Sequence, residues 1–262
     1  MSILELFSLA GRTVVVTGAG SGLGRAMAVA CGEAGASVVC ADAQPATAEE
    51  TAALIQGAGG QAAAVRVDVV DEPSVAAMID GAVDRFGAVD VIFCNAGISG
   101  FYKRIDQVDL AEWRRVIDVD LTGVMLSAKH AARVMIPRGS GKIILTASIY
   151  GLIGSDNVPI ADYAAAKGGV VNLTRELAME LAELGLTVNA IAPGFFNTNL
   201  GRDKAADQDR KQRLRDASVK LIPTHRRGEA AEIGGTAVYL ASAASDMVNG
   251  HILVIDSGVL AR

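Results

Sequence analysis

Residues 13–24 read Thr13-Val14-Val15-Val16-Thr17-Gly18-Ala19-Gly20-Ser21-Gly22-Leu23-Gly24. The first part is a short β-branched run, which predicts a buried strand. The glycines that follow permit a tight turn and let backbone N–H groups approach a phosphate at the start of a helix, and that helix is expected over residues 25–34. A glycine-rich turn alone is weak evidence, but a strand before it and a helix after it are the context that a dinucleotide-binding turn requires.

The acids at the ends of the next two strands complete this prediction. The glycine spacing is TGxxxGxG and not GxGxxG, because Leu23 occupies the third glycine position. A second strand over residues 36–41 ends at Asp42, whose carboxylate can accept hydrogen bonds from both hydroxyls of an adenosine ribose. It would repel a 2′-phosphate, and no arginine or lysine follows nearby, so we predict NAD rather than NADP. Asp68, after the third strand, is either an adenine contact or a helix cap or loop acid.

Strands and helices alternate along the rest of the chain. The further strands are predicted at residues 62–67, 89–94, 142–146, 186–192 and 251–255, and the further helices at 46–56, 73–86, 110–136, 160–184 and 229–242. This alternation indicates βαβ units and a mostly parallel sheet. We therefore expect one α/β domain over residues 1–262, a Rossmann-type doubly wound sheet of seven strands with helices on both faces. Its ligand crevice would lie at the carboxyl ends of the strands, under a polar, irregular substrate lid at about residues 195–227 with helical pieces.

The composition fits such a domain. Of the 262 residues, 51% are hydrophobic and 20% are charged, which predicts a sizeable core. The net charge of −5 argues against general nucleic-acid binding. The apolar runs are too short to span a membrane and the amino terminus lacks the pattern of a signal peptide, so we expect a cytoplasmic protein.

The cysteines and histidines do not predict a metal site. They are Cys31, Cys40, Cys94, His130, His225 and His251. The cysteines form no CxxC motif and the histidines are scattered, so we expect no metal and three reduced, packed cysteines.

A second informative stretch is Tyr163-Ala164-Ala165-Ala166-Lys167, within an alanine-rich predicted helix. Residues four apart share one face of a helix. An ammonium beside a phenol favours the phenolate and lowers the tyrosine pKa from its usual value of about 10. A tyrosine tuned in this way can remove a proton from an alcohol near neutral pH. The alternative is an ordinary helix with a half-buried tyrosine and a surface lysine.

Together these residues resemble the short-chain dehydrogenase/reductase family over nearly the whole chain. The resemblance is carried by Thr17-Gly18-x-x-x-Gly22-x-Gly24, Asn95-Ala96-Gly97, Ser148 with Tyr163-x-x-x-Lys167, Pro193-Gly194 with Thr198, and Asp256-Ser257-Gly258. It implies that Tyr163 is the general acid/base, and that Lys167 lowers its pKa and holds the nicotinamide ribose. It also implies that Ser148 stabilises the charge developing on the reacting oxygen.

The resemblance extends the expected cofactor site. Asn95 would line the cleft, and the segment from Pro193 to Thr198, with Ile191, would hold the nicotinamide end. The residues expected to contact the dinucleotide are Gly18, Ser21, Gly22, Leu23, Gly24, Asp42, Asp68, Val69, Asn95, Ala96, Gly97, Tyr163, Lys167, Pro193, Gly194, Phe196 and Thr198. Family members commonly form tetramers through the helix that carries the tyrosine, its neighbouring helix and the last strand, so we expect a homotetramer.

Two departures from the family pattern concern catalysis. Asp120-Leu121-Thr122-Gly123 stands where the family usually has Asn-Leu-x-Gly, so Asp120 becomes the fourth catalytic residue. A buried carboxylate there would pair with Lys167 and partly offset its pull on Tyr163. We hypothesise an active enzyme whose tyrosine has a higher pKa than is usual in the family. The interval from Ser148 to Tyr163 is also slightly long, which predicts an enlarged substrate-side loop.

The sequence points to a small-molecule alcohol or ketone as substrate. The loop after Ser148 carries Ser155, Asp156 and Asn157, and residues 197–227 are rich in Arg, Lys and Asp. Such residues favour a polyol, sugar or hydroxy acid over a steroid, although each charge can equally belong to a solvated surface. The opening Leu6-Phe7-Ser8-Leu9-Ala10-Gly11 is similar to those of gluconate- and deoxygluconate-type dehydrogenases.

We therefore expect an NAD-dependent dehydrogenase that acts on a CH–OH group. Two alternatives stay open. A 3-oxoacyl-thioester reductase of the same family would normally use NADPH and carry a basic residue in place of Asp42. A non-catalytic dinucleotide-binding protein would keep only the fold.

Overall fold

The structure is a computed structural model that describes residues 2–156, 158–198, 200 and 208–261. For residues 208–211 and 214 it describes the backbone alone. Its strands are β1 (Thr13–Thr17), β2 (Ser37–Asp42), β3 (Gln61–Arg66), β4 (Val91–Cys94), β5 (Gly141–Thr146), β6 (Leu186–Pro193), β7 (Phe196–Asn197), β8 (Gly228–Glu229) and β9 (Ile252–Ile255). Its α-helices are α1 (Ile3–Leu6), α2 (Gly22–Glu33), α3 (Pro45–Gly57), α4 (Glu72–Phe86), α5 (Leu110–Ile117), α6 (Gly123–Met135), α7 (Ala161–Ala182), α8 (Gln208–Leu221) and α9 (Gly234–Ala241).

Seven of these strands form one parallel sheet in the order β3-β2-β1-β4-β5-β6-β9. The chain begins in the middle at β1, runs outward to β3, and then crosses back to build the other half from β4. This reversal between β1 and β4 is the point at which the two neighbouring crossovers diverge and leave a crevice at the carboxyl ends of the strands. The predicted seven-stranded, doubly wound sheet is confirmed.

Both faces of the sheet are covered, and every residue of β1 is buried. Its valines are fully buried, and successive side chains of a strand point to opposite faces. Val15 packs into the apolar cluster that contains residues of α4, α6 and α7. Val14 and Val16 pack into the cluster formed with α2, α3 and α9. The glycine-rich turn is therefore attached to the most deeply buried strand.

Two predicted helices differ from the structure. The helix expected over residues 110–136 is divided into α5 and α6 by a π-helical segment, Asp118–Thr122. Such segments insert an extra residue into a helical turn and are frequent at functional sites, and this one contains the buried Asp120. The helix expected over residues 229–242 starts later, because Glu229 pairs with Asn197 in the β7–β8 ladder. The 3-10 turn Ala230–Ile233 then leads into α9.

Residues 195–227 contain more regular structure than the sequence pattern predicted. They contain β7, which pairs in parallel with β8 immediately after residue 227. They also contain α8, which is the helical piece that was expected. The two-residue strands were missed because they are too short to show alternation. No helix in the described ranges is both long enough and apolar enough to cross a bilayer.

Candidate active site

The glycine-rich turn connects β1 to α2 at the carboxyl edge of the sheet. Gly18 and Gly22 have φ angles of +67° and +55°, which side chains disfavour. A Cβ on Gly18 would lie 2.9 Å from the Ala96 Cα, so the turn packs directly on the residues after β4. Ser21, immediately before α2, makes no side-chain capping hydrogen bond. Ser21 therefore does not cap the first N–H groups of α2, and these groups can bind a phosphate.

Asp42 lies beside this turn. Its Oδ2 accepts a hydrogen bond from the Gly20 N–H at 2.9 Å, and its Oδ1 accepts one from the Gln44 N–H at 3.0 Å. Each carboxylate oxygen has lone pairs left over, so the group can also accept hydrogen bonds from ribose hydroxyls.

Arg25 is a residue near the adenosine end that the sequence analysis overlooked. Its guanidinium donates to the Gly20 carbonyl at 2.5 Å and pairs with Glu50 at 2.8 Å. No basic residue directly follows Asp42 in the sequence, whereas the Arg25 side chain returns to the turn from within α2. The Arg25 guanidinium therefore binds the carbonyl of Gly20, the residue whose N–H is bound by Asp42. This guanidinium is already paired with Glu50.

Asn95 ties together the ends of three strands. Its backbone N–H donates to Thr17 Oγ1, and its side-chain Nδ2 donates to the Thr17 carbonyl, both at 2.9 Å. Its Oδ1 accepts a hydrogen bond from Thr146 Oγ1 at 3.4 Å. The ends of β1, β4 and β5 are thereby fixed beside each other, and this arrangement shapes the floor of the crevice.

Ser148, Tyr163 and Lys167 meet next to this floor. The turn that follows Ser148 packs closely on α7, because a Cβ on Gly151 would lie 2.6 Å from the Lys167 carbonyl oxygen. The Ser148 hydroxyl lies close enough to the Tyr163 phenol to lower the pKa of that phenol by hydrogen bonding. The buried Lys167 ammonium lies 5.6 Å from the centroid of the Tyr163 ring and donates to the Thr146 carbonyl at 3.0 Å.

Asp120 is fully buried on the other side of this ammonium. Its Oδ1 accepts a hydrogen bond from the Ile98 N–H at 2.7 Å, and its Oδ2 lies 3.2 Å from Lys167 Nζ. Within the described part of the chain, no donor is aligned with Oδ2 as in a hydrogen bond. The contact with the lysine is therefore an ion pair without a directed hydrogen bond. Gly97 covers it, because a Cβ there would lie 3.0 Å from Oδ2.

Burial and charge shift the pKa values of these groups. Burial raises the pKa of Tyr163 above its ordinary value; the Lys167 ammonium opposes this, and the Asp120 carboxylate adds to it. Burial would lower the pKa of Lys167, but Asp120 and Tyr163 outweigh it and leave the value raised. Burial also raises the pKa of Asp120, against the Lys167 ammonium and the Ile98 N–H. These shifts favour the charged lysine and the protonated phenol.

The structure separates Asp68 from Val69. Asp68 is exposed, and its Oδ1 accepts a hydrogen bond from the Val70 N–H at 3.2 Å. Val69 is buried, and its Cγ2 would lie 2.8 Å from a Cβ on Gly123. Asp68 thus closes a local turn, as its loop-acid alternative predicted, and its role towards adenine stays a prediction. Val69 packs its side chain against α6, so only its backbone can face a cofactor.

The segment that follows β6 approaches the glycine turn. The Gly194 N–H donates to the Ile255 carbonyl at 2.9 Å. Phe196 is buried and packs closely against Gly228, so only its backbone is available to a ligand. Thr198 Cβ lies 3.3 Å from the position of a Cβ on Gly22, which places the start of the lid beside the turn.

Of the polar residues expected in the loop after Ser148, Ser155 and Asp156 are described and Asn157 lies outside the described residues. All three cysteines are free and buried, and burial raises the pKa of the Cys31 and Cys40 thiols to about 12. Across the described residues, no three metal-binding side chains are grouped to hold a metal.

The site fits a nicotinamide dinucleotide laid across the carboxyl edge of the sheet. The uncapped start of α2 suits its pyrophosphate, and Asp42 suits its adenosine ribose. Lys167 uses one of its three N–H groups on the Thr146 carbonyl and points its ammonium at Asp120. It keeps donor capacity for a second ribose.

The chain is similar to known proteins over nearly its whole length. The model of a sequence family described as enoyl-(acyl carrier protein) reductase matches residues 18–260. A cis-4-hydroxycyclohexanecarboxylate dehydrogenase of Sinomonas cyclohexanicum is 42% identical over 254 residues, which cover 97% of this chain and 98% of that protein. The chain belongs to the short-chain dehydrogenase/reductase family.

Other members of this family are similar over the full length. A 2-dehydro-3-deoxy-D-gluconate 5-dehydrogenase of Dickeya dadantii is 38% identical over 264 residues, covering 99% of this chain and 100% of that protein. The crystal structure of a short-chain type dehydrogenase/reductase from Mycobacterium marinum has a TM-score of 0.94 at 36% identity, with 100% of both chains covered. A gluconate 5-dehydrogenase from Burkholderia cenocepacia, in complex with NADP and tartrate, has a TM-score of 0.91 at 36% identity, again with 100% of both chains covered. This chain is accordingly an oxidoreductase of the family that acts on CH–OH donors.

Proposed function

We propose that this family member is an NAD-dependent dehydrogenase that transfers a hydride between a secondary alcohol and nicotinamide. The observation that carries the proposal is the convergence of Ser148, Tyr163 and the buried Lys167 ammonium beside the glycine-rich turn. Such a convergence places a proton acceptor, a hydrogen-bond donor and a fixed positive charge at one point of the crevice.

Each side chain has one task in this reaction. The Tyr163 phenolate removes the hydroxyl proton of the alcohol, and in the reverse direction the phenol returns it to the carbonyl oxygen. Ser148 donates a hydrogen bond to the reacting oxygen and so stabilises its developing charge. Lys167 stabilises the phenolate through its charge. The dinucleotide, when bound, supplies the hydride chemistry and, in its oxidised form, a positive nicotinamide ring.

The proposed preference for NAD rests on Asp42. A 2′-phosphate would approach a carboxylate that already holds the Gly20 and Gln44 N–H groups in place. Arg25 donates to the Gly20 carbonyl in this turn and is paired with Glu50. Because a gluconate 5-dehydrogenase relative is described with NADP, the preference needs a direct test. We expect tighter binding of NADH than of NADPH in fluorescence titrations; tighter binding of NADPH refutes it.

We further propose that the substrate is a polyol, sugar acid or alicyclic hydroxy acid. Polar residues after Ser148 and in the lid support this class, and so do the names of the gluconate and hydroxycyclohexanecarboxylate relatives. The test is an NAD⁺-coupled screen of D-gluconate, cis-4-hydroxycyclohexanecarboxylate, polyols and simple secondary alcohols, read as NADH formation.

The screen includes outcomes that decide against this proposal. Tyr163→Phe, which removes only the phenol oxygen, is the control and should abolish turnover while dinucleotide binding persists. Faster NADPH-dependent reduction of a 3-oxoacyl thioester would favour the reductase alternative. Dinucleotide binding without turnover of any alcohol would favour a non-catalytic protein.

We also propose a homotetramer. Exposed apolar side chains lie on α6 and α7, where Met125 is 38% and Met179 80% exposed, and beside β9, where Met247 is 97% exposed. Association between copies would remove these apolar side chains from water. Light scattering of the purified chain should give the mass of four subunits, and a monomer would overturn this expectation.

A further inference from the structure

Asp162 is a buried acid that the proposed chemistry leaves unused. It is 4% exposed and lies in the first turn of α7, immediately before Tyr163. Its Oδ1 accepts a hydrogen bond from the Tyr163 N–H at 2.8 Å, and its Oδ2 accepts one from the Phe101 N–H at 3.0 Å. A carboxylate is buried favourably only where such bonds satisfy it, and the N-terminus of a helix stabilises its charge. Asp162 thus joins the catalytic helix to a distant part of the chain.

The part that it holds is residues 98–102, which follow β4 and are here called the 98–102 segment. At Gly100 the backbone comes so close that a Cβ would lie 2.5 Å from Asp162 Oδ1 and 3.2 Å from Tyr163 Cβ. Tyr102, two residues on, has a φ of +56°. A residue other than glycine adopts that conformation only where its surroundings enforce it. The segment is therefore held in a defined, strained conformation against α7.

A second buried acid holds the beginning of the same segment. Asp120 Oδ1 accepts a hydrogen bond from the Ile98 N–H at 2.7 Å. The 98–102 segment is therefore bound by Asp120 at residue 98 and by Asp162 at residue 101. Half-buried Tyr102 is thereby carried close to Tyr163. The pKa of Tyr163 is raised mainly by burial, and the charge of Tyr102 contributes in the same direction. Since a Cβ on Gly100 would lie 3.2 Å from Tyr163 Cβ, the segment that carries Tyr102 lies against Tyr163.

We propose that Asp162 is a positioning residue that locks the 98–102 segment onto the catalytic helix and thereby sets Tyr102 beside Tyr163 as one wall of the substrate site. The functional part of this proposal rests on the proposed role of Tyr163. According to this proposal, substrate binding depends on the hydrogen bond from the Phe101 N–H to Asp162. Neither the substrate nor the dinucleotide needs to contact that bond.

The first test observes the tyrosines without any substrate. The chain has four tyrosines, so labelling their ζ-carbons with ¹³C gives four NMR resonances that Tyr→Phe variants assign. In Asp162→Ala we expect the Tyr102 and Tyr163 resonances to move, while Tyr239, which packs near Phe7, stays. Asp162→Asn keeps one acceptor oxygen, which can serve the Phe101 N–H but not the Tyr163 N–H as well, so both resonances should return most of the way to their wild-type positions.

Two further variants separate positioning from stability. Asp90→Ala removes a carboxylate that holds the Thr13 N–H at the opposite edge of the sheet, and it should leave all four resonances unchanged. Gly100→Ala leaves Asp162 intact but forces the segment off it, and it should reproduce the Asp162→Ala spectrum. Gly100→Ala also decides the question if Asp162→Ala does not fold.

The second test uses cis-4-hydroxycyclohexanecarboxylate as the alcohol. Asp162→Ala should raise its KM about tenfold or more with a smaller fall in kcat, because the substrate wall is released while Tyr163 stays on its helix. The affinity for NADH should stay unchanged. If the wild type binds NADH but oxidises neither this alcohol nor any other in the screen, the substrate proposal fails and the tyrosine spectra still decide the positioning proposal. Unchanged Tyr102 and Tyr163 resonances in Asp162→Ala, or equal shifts in Asp162→Asn, overturn it.

Discussion

Replacing Asp120 by asparagine tests how the buried acid acts on the catalytic tyrosine. The change keeps an oxygen for the Ile98 N–H, so the loop geometry is retained, and removes one negative charge. The Lys167 ammonium lies 3.2 Å from Asp120 Oδ2 and 5.6 Å from the Tyr163 ring centroid. The carboxylate is therefore within about 9 Å of that ring, where unit charges repel by about 2 kcal/mol at an effective dielectric constant of about 20.

That repulsion sets the expected shift. Since about 1.4 kcal/mol corresponds to one pKa unit, Asp120→Asn should lower the pKa of Tyr163 by about one unit. The sign follows from the charge: the carboxylate destabilises the phenolate, so its removal favours the phenolate and lowers the pKa. Carbonyl reduction needs the protonated phenol, so the alkaline limb of its pH–rate profile should move to lower pH by about one unit. Alcohol oxidation needs the phenolate, and its rise with pH should move the same way.

The assay is the pH profile of kcat/KM in both directions for a substrate identified by the screen. Asp118→Asn provides the matched control, because it makes the same change at an exposed position in the same π-helical segment. Its profile should coincide with that of the wild type. An unmoved alkaline limb in Asp120→Asn, or an equal movement in Asp118→Asn, would refute the reasoning.

Three further variants test the cofactor site and the ammonium. Lys167→Met should raise the pKa of Tyr163 and move the onset of alcohol oxidation to higher pH, because burial would then act without the opposing charge; a profile at the wild-type pH would contradict this. Gly24→Ala should abolish NADH binding in fluorescence titrations, since its Cβ would lie 2.6 Å from Asn95 Nδ2; wild-type affinity would mean that the turn tolerates displacement. Asp42→Ala should reduce the preference for NADH over NADPH about tenfold or more, because it removes both the ribose acceptor and the repulsion of a 2′-phosphate. An unchanged ratio of the two dissociation constants would assign cofactor choice to another residue.

Asp120 changes the electrostatic effect of Lys167 on its neighbours in this site. With a neutral amide beside it, Lys167 would direct its whole charge at the phenol and at a bound ribose. Here the ammonium faces a carboxylate at 3.2 Å and a phenol on its other side. The same carboxylate also holds the 98–102 segment through Ile98. The pKa of Tyr163 and the position of the 98–102 segment therefore both depend on Asp120.

Asp120 and Arg25 show where sequence reasoning stopped. The position of Asp120 was recognised from a motif, but the π-helical turn that presents it was not, because a hydrophobic pattern does not distinguish one helical continuation from a wider turn. Arg25 was missed although it directly follows the glycine-rich stretch, because only its folded direction brings its guanidinium back to the Gly20 carbonyl. Asp162 was not singled out at all, since an acid in the first turn of a helix is ordinary.

The sequence by itself determined the alternation of strands and helices, the glycine-rich turn between β1 and α2, Asp42 after β2, and the spacing of Tyr163 and Lys167. These features are local: hydrophobic period, glycine placement and helical spacing act within a few residues, so they can be read without the fold. The pairing of Asp120 with Lys167 was expected only through the family resemblance, and the tertiary structure supplied its distance of 3.2 Å. Only the tertiary structure decided that Asp162 holds the Phe101 N–H. Those contacts join residues far apart in the chain. Their distances are set by how the helices pack on the sheet, which no local pattern encodes.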